Sequence, residues 1–207
     1  MAQEREIAAR IASLGELAEI ITAILAIAAS QMQQALKCIG TIRDYSKLIG
    51  EALRGAATLL PHNILAASEP GRAVLVVFGA EHGLCGGFNQ APLRAVQQEF
   101  AKKSEKPILI VVGSRAARLC RERRLHFDLA LPMATHYAGV TGTARRVSAE
   151  LYRMIGERQL AGIVVIYIEN GGGGLKIKRQ QLLPLDPPSG KIESSQRRRL
   201  STFAHVS

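Results

Sequence analysis

The sequence predicts an α/β protein: a long N-terminal coiled-coil helix followed by a three-layer, Rossmann-like domain whose sheet is mainly parallel. Three observations carry this. A seven-residue apolar repeat runs from Ile7 to Leu60, a strand, a glycine loop and a helix start follow one another between Ala73 and Gln90, and strand and helix patterns then alternate to Leu185. Such alternation marks βαβ units with helices packed on a parallel sheet. The expected divisions are a coiled-coil helix at 1–60, a linker at 61–72, an α/β domain at 73–185 and a polar, basic tail at 186–207, expected to be disordered.

The helix comes first. One seam position holds Ile7, Leu14, Ile21, Ala28, Ala35, Ile42, Ile49 and Ala56, and the other holds Ile11, Ala18, Leu25, Met32, Ile39, Ser46, Leu53 and Leu60. Only Ser46 is polar, so the repeat extends well past what a coiled coil needs. A helix over this stretch is roughly 80 Å long at 1.5 Å per residue, longer than the following domain is wide, and must protrude or wrap. The alternative is two shorter helices broken near Gly40, Gly50 or Gly55, since each glycine costs about 1 kcal/mol of helix stability. The phase of the repeat survives those glycines and favours one helix. The longest apolar run, Ile20 to Ala29, is interrupted by Thr22 and bordered by Glu19, short of the roughly 20 residues of a membrane span. No span is expected. The first residues lack a basic patch followed by an apolar core, so no leader peptide is expected and the chain should stay in the cytoplasm.

Pro61 stops the helix, and a polar, turn-rich segment leads to strand 73–78, whose apolar, mostly β-branched residues suit a buried strand. Then come a helix from about Pro92 to Lys103, a strand from Pro107 to Val112, a helix from Ser114 to Arg124, a weaker strand near His126 to Leu131, a helix from Gly142 to Arg158 and a strand from Gly162 to Ile168. Asn170 and the glycines 171–174 predict a hairpin-like turn into a last strand, Leu175 to Leu185. Its Lys176, Lys178 and Arg179 suit an antiparallel edge.

The glycine loop carries no phosphate-cradle signature. A P-loop needs Lys and Ser or Thr after its last glycine, where Phe88 and Asn89 stand, and Gly83, Gly86 and Gly87 lack the order of a dinucleotide loop. No cofactor is expected. His82 and Cys85 have the spacing of a base and thiol, but a cysteine among glycines is more often a small packed residue than a nucleophile. Cys38, Cys85 and Cys120 are too dispersed for a disulfide framework or a zinc set, so no metal is expected. The net charge of +10 lies wholly beyond residue 60, because residues 1–60 hold six basic and six acidic residues. Arg115, Arg118, Arg121, Arg123 and Arg124 form a basic run that reads as a phosphate or nucleic-acid surface or as a solvated helix face. The absence of Trp favours the latter.

Three stretches carry a family resemblance. GLCGGFN at Gly83 to Asn89, after an apolar strand and Glu81, resembles the signature loop of F-type ATP synthase gamma subunits, the central rotor stalk. RIASL…AIAASQMQQA at Arg10 to Ala35 and QQLLPL at Gln180 to Leu185 match in the same order. SLGELAEII is similar to the divergent gamma subunits of sodium-type bacterial operons. The resemblance implies a non-catalytic rotor subunit that couples ion flow through a membrane ring to ATP synthesis or hydrolysis. Its implied partners are the alpha and beta subunits, the smaller epsilon subunit and the ring, with no nucleic acid, at the cytoplasmic face of the bacterial inner membrane. It also implies subunit-contact residues: Ile21, Leu25, Ala28 and Met32 on the helix, and Glu81, His82, Gly83, Leu84, Cys85, Gly86, Gly87 and Asn89 on the loop. Two departures stand out. His82 replaces a common arginine, and Gly15, Glu16, Glu19, Gln31, Gln33 and Gln34 replace the basic collar. After QLLPL, Asp186, Pro187 and Pro188 open a tail without heptads, so the second coil helix is expected to be lacking and the seam to seek another surface, with torque transmission impaired. The alternative class is a basic binding module for nucleic acid or an acidic protein, using the arginine run and the tail.

Overall fold

A computed structural model of the chain describes residues 2–57, 71–102, 105–157, 160–171 and 174–184. Most of the expected linker and all of the expected tail lie outside them, as do residues 58–60 of the expected helix.

Helix α1, Ala2–Ala57, is continuous over 56 residues and passes through Gly15, Gly40, Gly50 and Gly55 without a break. No neighbour stands within 4 Å of where a Cβ would be at Gly15, Gly40 or Gly55, so these glycines are not there for close packing. The seam stays in solvent: Ile11, Leu14 and Leu25 are all more than 60% exposed. One expectation changes here. Within Gln3–Leu53 an 18-residue window reaches a mean hydropathy of 1.9 with none of it buried, so by length and composition this helix could cross a membrane. The expectation rested on an uninterrupted run, whereas a helix averages its isolated polar residues over the whole window.

The remaining elements are β1 (Arg72–Phe78), α2 (Gln90–Lys102), β2 (Ile108–Val112), α3 (Ser114–Glu122), β3 (Leu129–Leu131), a 3-10 turn (Tyr137–Gly139), α4 (Val140–Glu157), β4 (Leu160–Gly171) and β5 (Gly174–Leu183). They form one sheet in the order β3-β2-β1-β4-β5, parallel except for β5, which pairs antiparallel with β4 at the edge. The alternation of the strands sorts their side chains into two layers. Leu75, Val77, Leu109, Val111, Val164 and Ile166 face α2 and α3, meeting Leu93, Val96, Ala116, Ala117 and Cys120. Val74, Val76, Ile108, Ile110, Val112 and Ile163 face α4, meeting Val147, Leu151 and Met154. Both faces of β1 and β2 are covered, which is why these strands read as unbroken apolar runs.

The long helix is rooted at one end of this sheet. Arg43 Nη2 binds Glu169 Oε1 at 2.8 Å, near the C-terminal end of β4, and Lys178 Nζ on β5 holds Glu169 Oε2 at 3.3 Å. The Lys178 hydrogen bond, with the charges of Lys178 and Arg43, outweighs desolvation and keeps the Glu169 carboxyl below its ordinary range. Cys38 hydrogen-bonds the Tyr137 hydroxyl and pushes that group up.

Candidate functional site

The loop after β1 sits at the C-terminal edge of the parallel strands, the usual place for function in an open α/β sheet. Gly79 N donates to Val112 O at 2.8 Å, carrying the ladder one residue beyond β1. A Cβ on Gly79 would lie 2.5 Å from Ala116 Cβ and 2.6 Å from Asn89 Oδ1, so only glycine lets the loop, α3 and Asn89 meet here. Gly113 crosses beside it with φ 120, and a Cβ there would come within 2.7 Å of the carbonyl oxygens of both Gly79 and Ala80.

Glu81 ties three segments together. Its Oε1 accepts from Ser114 Oγ at 2.6 Å, and its Oε2 accepts from Ser114 N at 2.9 Å and Met133 N at 2.8 Å. It therefore caps the N-terminus of α3, where a carboxylate is favoured, and pins the segment after β3. Partial burial works to raise its pKa. The bonds from Ser114 Oγ, Met133 N and Ser114 N, with the charge of His82, outweigh this and hold the carboxyl below its ordinary value. Asn89 is the second internal brace. It is 3% exposed, its Oδ1 accepts from Ala80 N at 2.8 Å, and its Nδ2 donates to Cys85 Sγ at 3.5 Å.

The loop residues read from the sequence thus separate into two groups. Glu81 and Asn89 turn inward and set the loop's shape, with Cys85 half-buried between. His82, Gly83, Leu84, Gly86 and Gly87 form the exposed tip. Leu84 is fully solvent-exposed with φ 58, and Gly86 has φ 52, so two left-handed residues flanking Cys85 shape a tip that presents an apolar side chain outward. Among the described residues no hydrogen bond joins His82 to Cys85; the thiol is engaged by Asn89 instead. On α1, Ile21, Leu25, Ala28 and Met32 are all exposed. Sequence reasoning missed Ser114 and Met133, which lie 33 and 52 residues from Glu81. The available signal was an acidic residue in a loop beside a helix start that lacks an acidic first turn.

An α/β scaffold that roots a protruding apolar helix and presents a braced loop defines a class of protein built around contact surfaces. The ATP synthase family profile matches residues 3–204. The ATP synthase gamma chain of Anaeromyxobacter sp. (strain K) is 30% identical over 206 residues, covering 92% of this chain and 69% of that protein. The gamma chain of Pelotomaculum thermopropionicum is 26% identical over 201 residues, covering 92% and 68%, and that of Mycolicibacterium vanbaalenii is 34% identical over 118 residues, covering 54% and 38%. Among solved structures, the central stalk and c-ring of the Tetrahymena thermophila mitochondrial ATP synthase is similar at a TM-score of 0.48 and 16% identity, over 67% of this chain and 65% of that one. This chain belongs to the ATP synthase gamma-chain family. It spans about two thirds of the length of the longest-matching of these relatives.

Proposed function

We propose that this chain is a non-catalytic central-stalk subunit, which couples ion translocation through a membrane ring to ATP synthesis or hydrolysis by rotating within a hexamer of alpha and beta subunits. The observation that carries the reading is α1: a continuous helix of 56 residues, apolar along one seam whose large residues are exposed, and anchored to a folded domain by Arg43 and Cys38. A shaft must be long, stiff and asymmetric, and an apolar shaft turns against apolar walls without ion pairs to break. Ile21, Leu25, Ala28 and Met32 are the residues assigned to the wall of the hexamer. The tip at His82 to Gly87, with Leu84 outermost, is assigned to the moving arm of a catalytic subunit, and Glu81 and Asn89 keep it in place. The smaller epsilon subunit and the ion-carrying ring are the other partners, at the cytoplasmic face of the bacterial inner membrane. The domain division at 1–60, 61–72, 73–185 and 186–207 follows the same reading, with the first part as shaft and the third as foot.

Co-expression with alpha and beta subunits, followed by the mass of the purified complex and its rate of ATP hydrolysis, tests this. One copy assembling with three of each and changing the turnover supports it. A chain that remains apart from alpha and beta overturns it.

A further inference from the structure

The opposite end of the sheet carries a cluster that the stalk reading does not use. α3 begins against Glu81 at the C-terminal edge and runs back, so its last turn and the return to β3 lie at the N-terminal edge. Arg124, with φ 55, reverses the chain there. The N–H groups of Arg123, Arg124 and Leu125 donate to Leu119, Arg121 and Cys120 carbonyls at 3.1, 3.0 and 2.9 Å. Backbone therefore closes the helix end, and no guanidinium is needed as a cap.

The arginines of this helix divide by partner. Arg115 and Arg118 share Glu122 at 3.4 and 3.6 Å. Among the described residues no carboxylate lies within ion-pair distance of Arg121 or Arg124, and Asp128 is turned to the sheet, where its Oδ2 accepts from Leu109 N at 2.8 Å. Burial pushes the neighbouring Cys120 thiol up to about 11 against the pull of Arg123 and Arg121, so it offers no counter-charge. The Arg121 guanidinium stands over the Phe127 ring, 5.5 Å from its centroid, which restrains the side chain. Arg121, Arg124, Leu125, His126 and Phe127 line an open cleft of about 420 Å³, large enough for a small anion and part of its carrier.

We propose that this cleft binds a phosphate group through the guanidinium forks of Arg121 and Arg124, carried by a soluble anion or by the headgroup of an acidic lipid. Two uncompensated guanidinium groups on one wall match the charge and the several acceptor oxygens of a phosphate, and the aromatic floor keeps one fork in position. The cleft lies at the end of the sheet away from the edge where α1 is rooted and where the glycine loop stands. Its occupation therefore leaves both contact surfaces free.

The test uses the full chain. Inorganic pyrophosphate is titrated calorimetrically, and in parallel the protein is sedimented with vesicles of phosphatidylcholine alone or with about one third phosphatidylglycerol. Arg121→Ser with Arg124→Ser is expected to weaken binding by about tenfold or more, whereas Arg118→Ser, outside the cleft and paired with Glu122, leaves it unchanged. Pyrophosphate binding lost in the double variant identifies a soluble ligand. Sedimentation only with the acidic vesicles, lost in the same variant, identifies a headgroup. The His126 ring resonances of the unsubstituted protein give the answer without a variant, by shifting as ligand is added. No binding to either probe, binding that the double variant retains, or unmoved His126 signals would overturn the proposal.

Discussion

Glu81 shows how one side chain can set a surface without being on it. Its three accepted hydrogen bonds cap α3 and hold the segment at Met133, so Glu81→Ala should destabilise the domain by about 1–2 kcal/mol in urea unfolding. The pH dependence has a definite sign. The folded carboxyl titrates below its unfolded value, so the contribution is present above the unfolded pKa of about 4.3 and is lost as pH falls through the folded pKa. The stability gap between wild type and Glu81→Ala should be complete at neutral pH and close on acidification; a gap that stays constant into acid would refute this role. Gly79→Ala makes a companion test. The added Cβ meets Ala116 Cβ at 2.5 Å and Asn89 Oδ1 at 2.6 Å, an overpacking expected to cost about 1–3 kcal/mol by the same measurement.

At the scale of elements, α1 and the sheet obey different rules. β1 and β2 are stable because both faces are covered, while α1 keeps Ile21 and Leu25 more than half exposed. Substituting these two with serine removes no buried contact, so unfolding of the α/β domain should change by less than about 0.5 kcal/mol. On the proposed function the same pair meets the hexamer wall, and pull-down with alpha and beta subunits should fall markedly. Retained assembly would move the contact elsewhere on the shaft. The seven-residue spacing of the seam was legible in the sequence because it is a local property of a helix. The phase of the seam also favoured one helix through Gly40, Gly50 and Gly55 against their low propensity, and the helix is indeed continuous there.

For the whole molecule the proposed function requires the helix and the loop tip to act together. Leu84 is held outward by left-handed backbone and touches nothing that stabilises the fold, so Leu84→Asp should leave the thermal midpoint unchanged. In a complex with alpha and beta subunits it should lower ATP turnover while the subunit ratio is kept, which separates coupling from assembly. A variant complex with unchanged turnover would remove the loop tip from the mechanism.

The sequence by itself determined the α/β class, the order of the described α-helices and strands and the antiparallel edge strand, because each rests on periodicity, apolar runs and chain-breaking residues that act over a few positions. It also carried the family, through a loop and two flanking stretches. Tertiary structure alone decided which loop residues face solvent. Glu81 and Asn89 look like surface polar residues in sequence, and only their meeting with Ser114, Met133 and Ala80 turns them into braces. It likewise brought Arg121 and Arg124 together at the cleft, while Arg115 and Arg118 pair with Glu122 within α3. The physical reason is that the bonds of Glu81 to Ser114 and Met133 depend on distances between segments 33 and 52 residues apart in the chain, and those distances exist only after the sheet has closed.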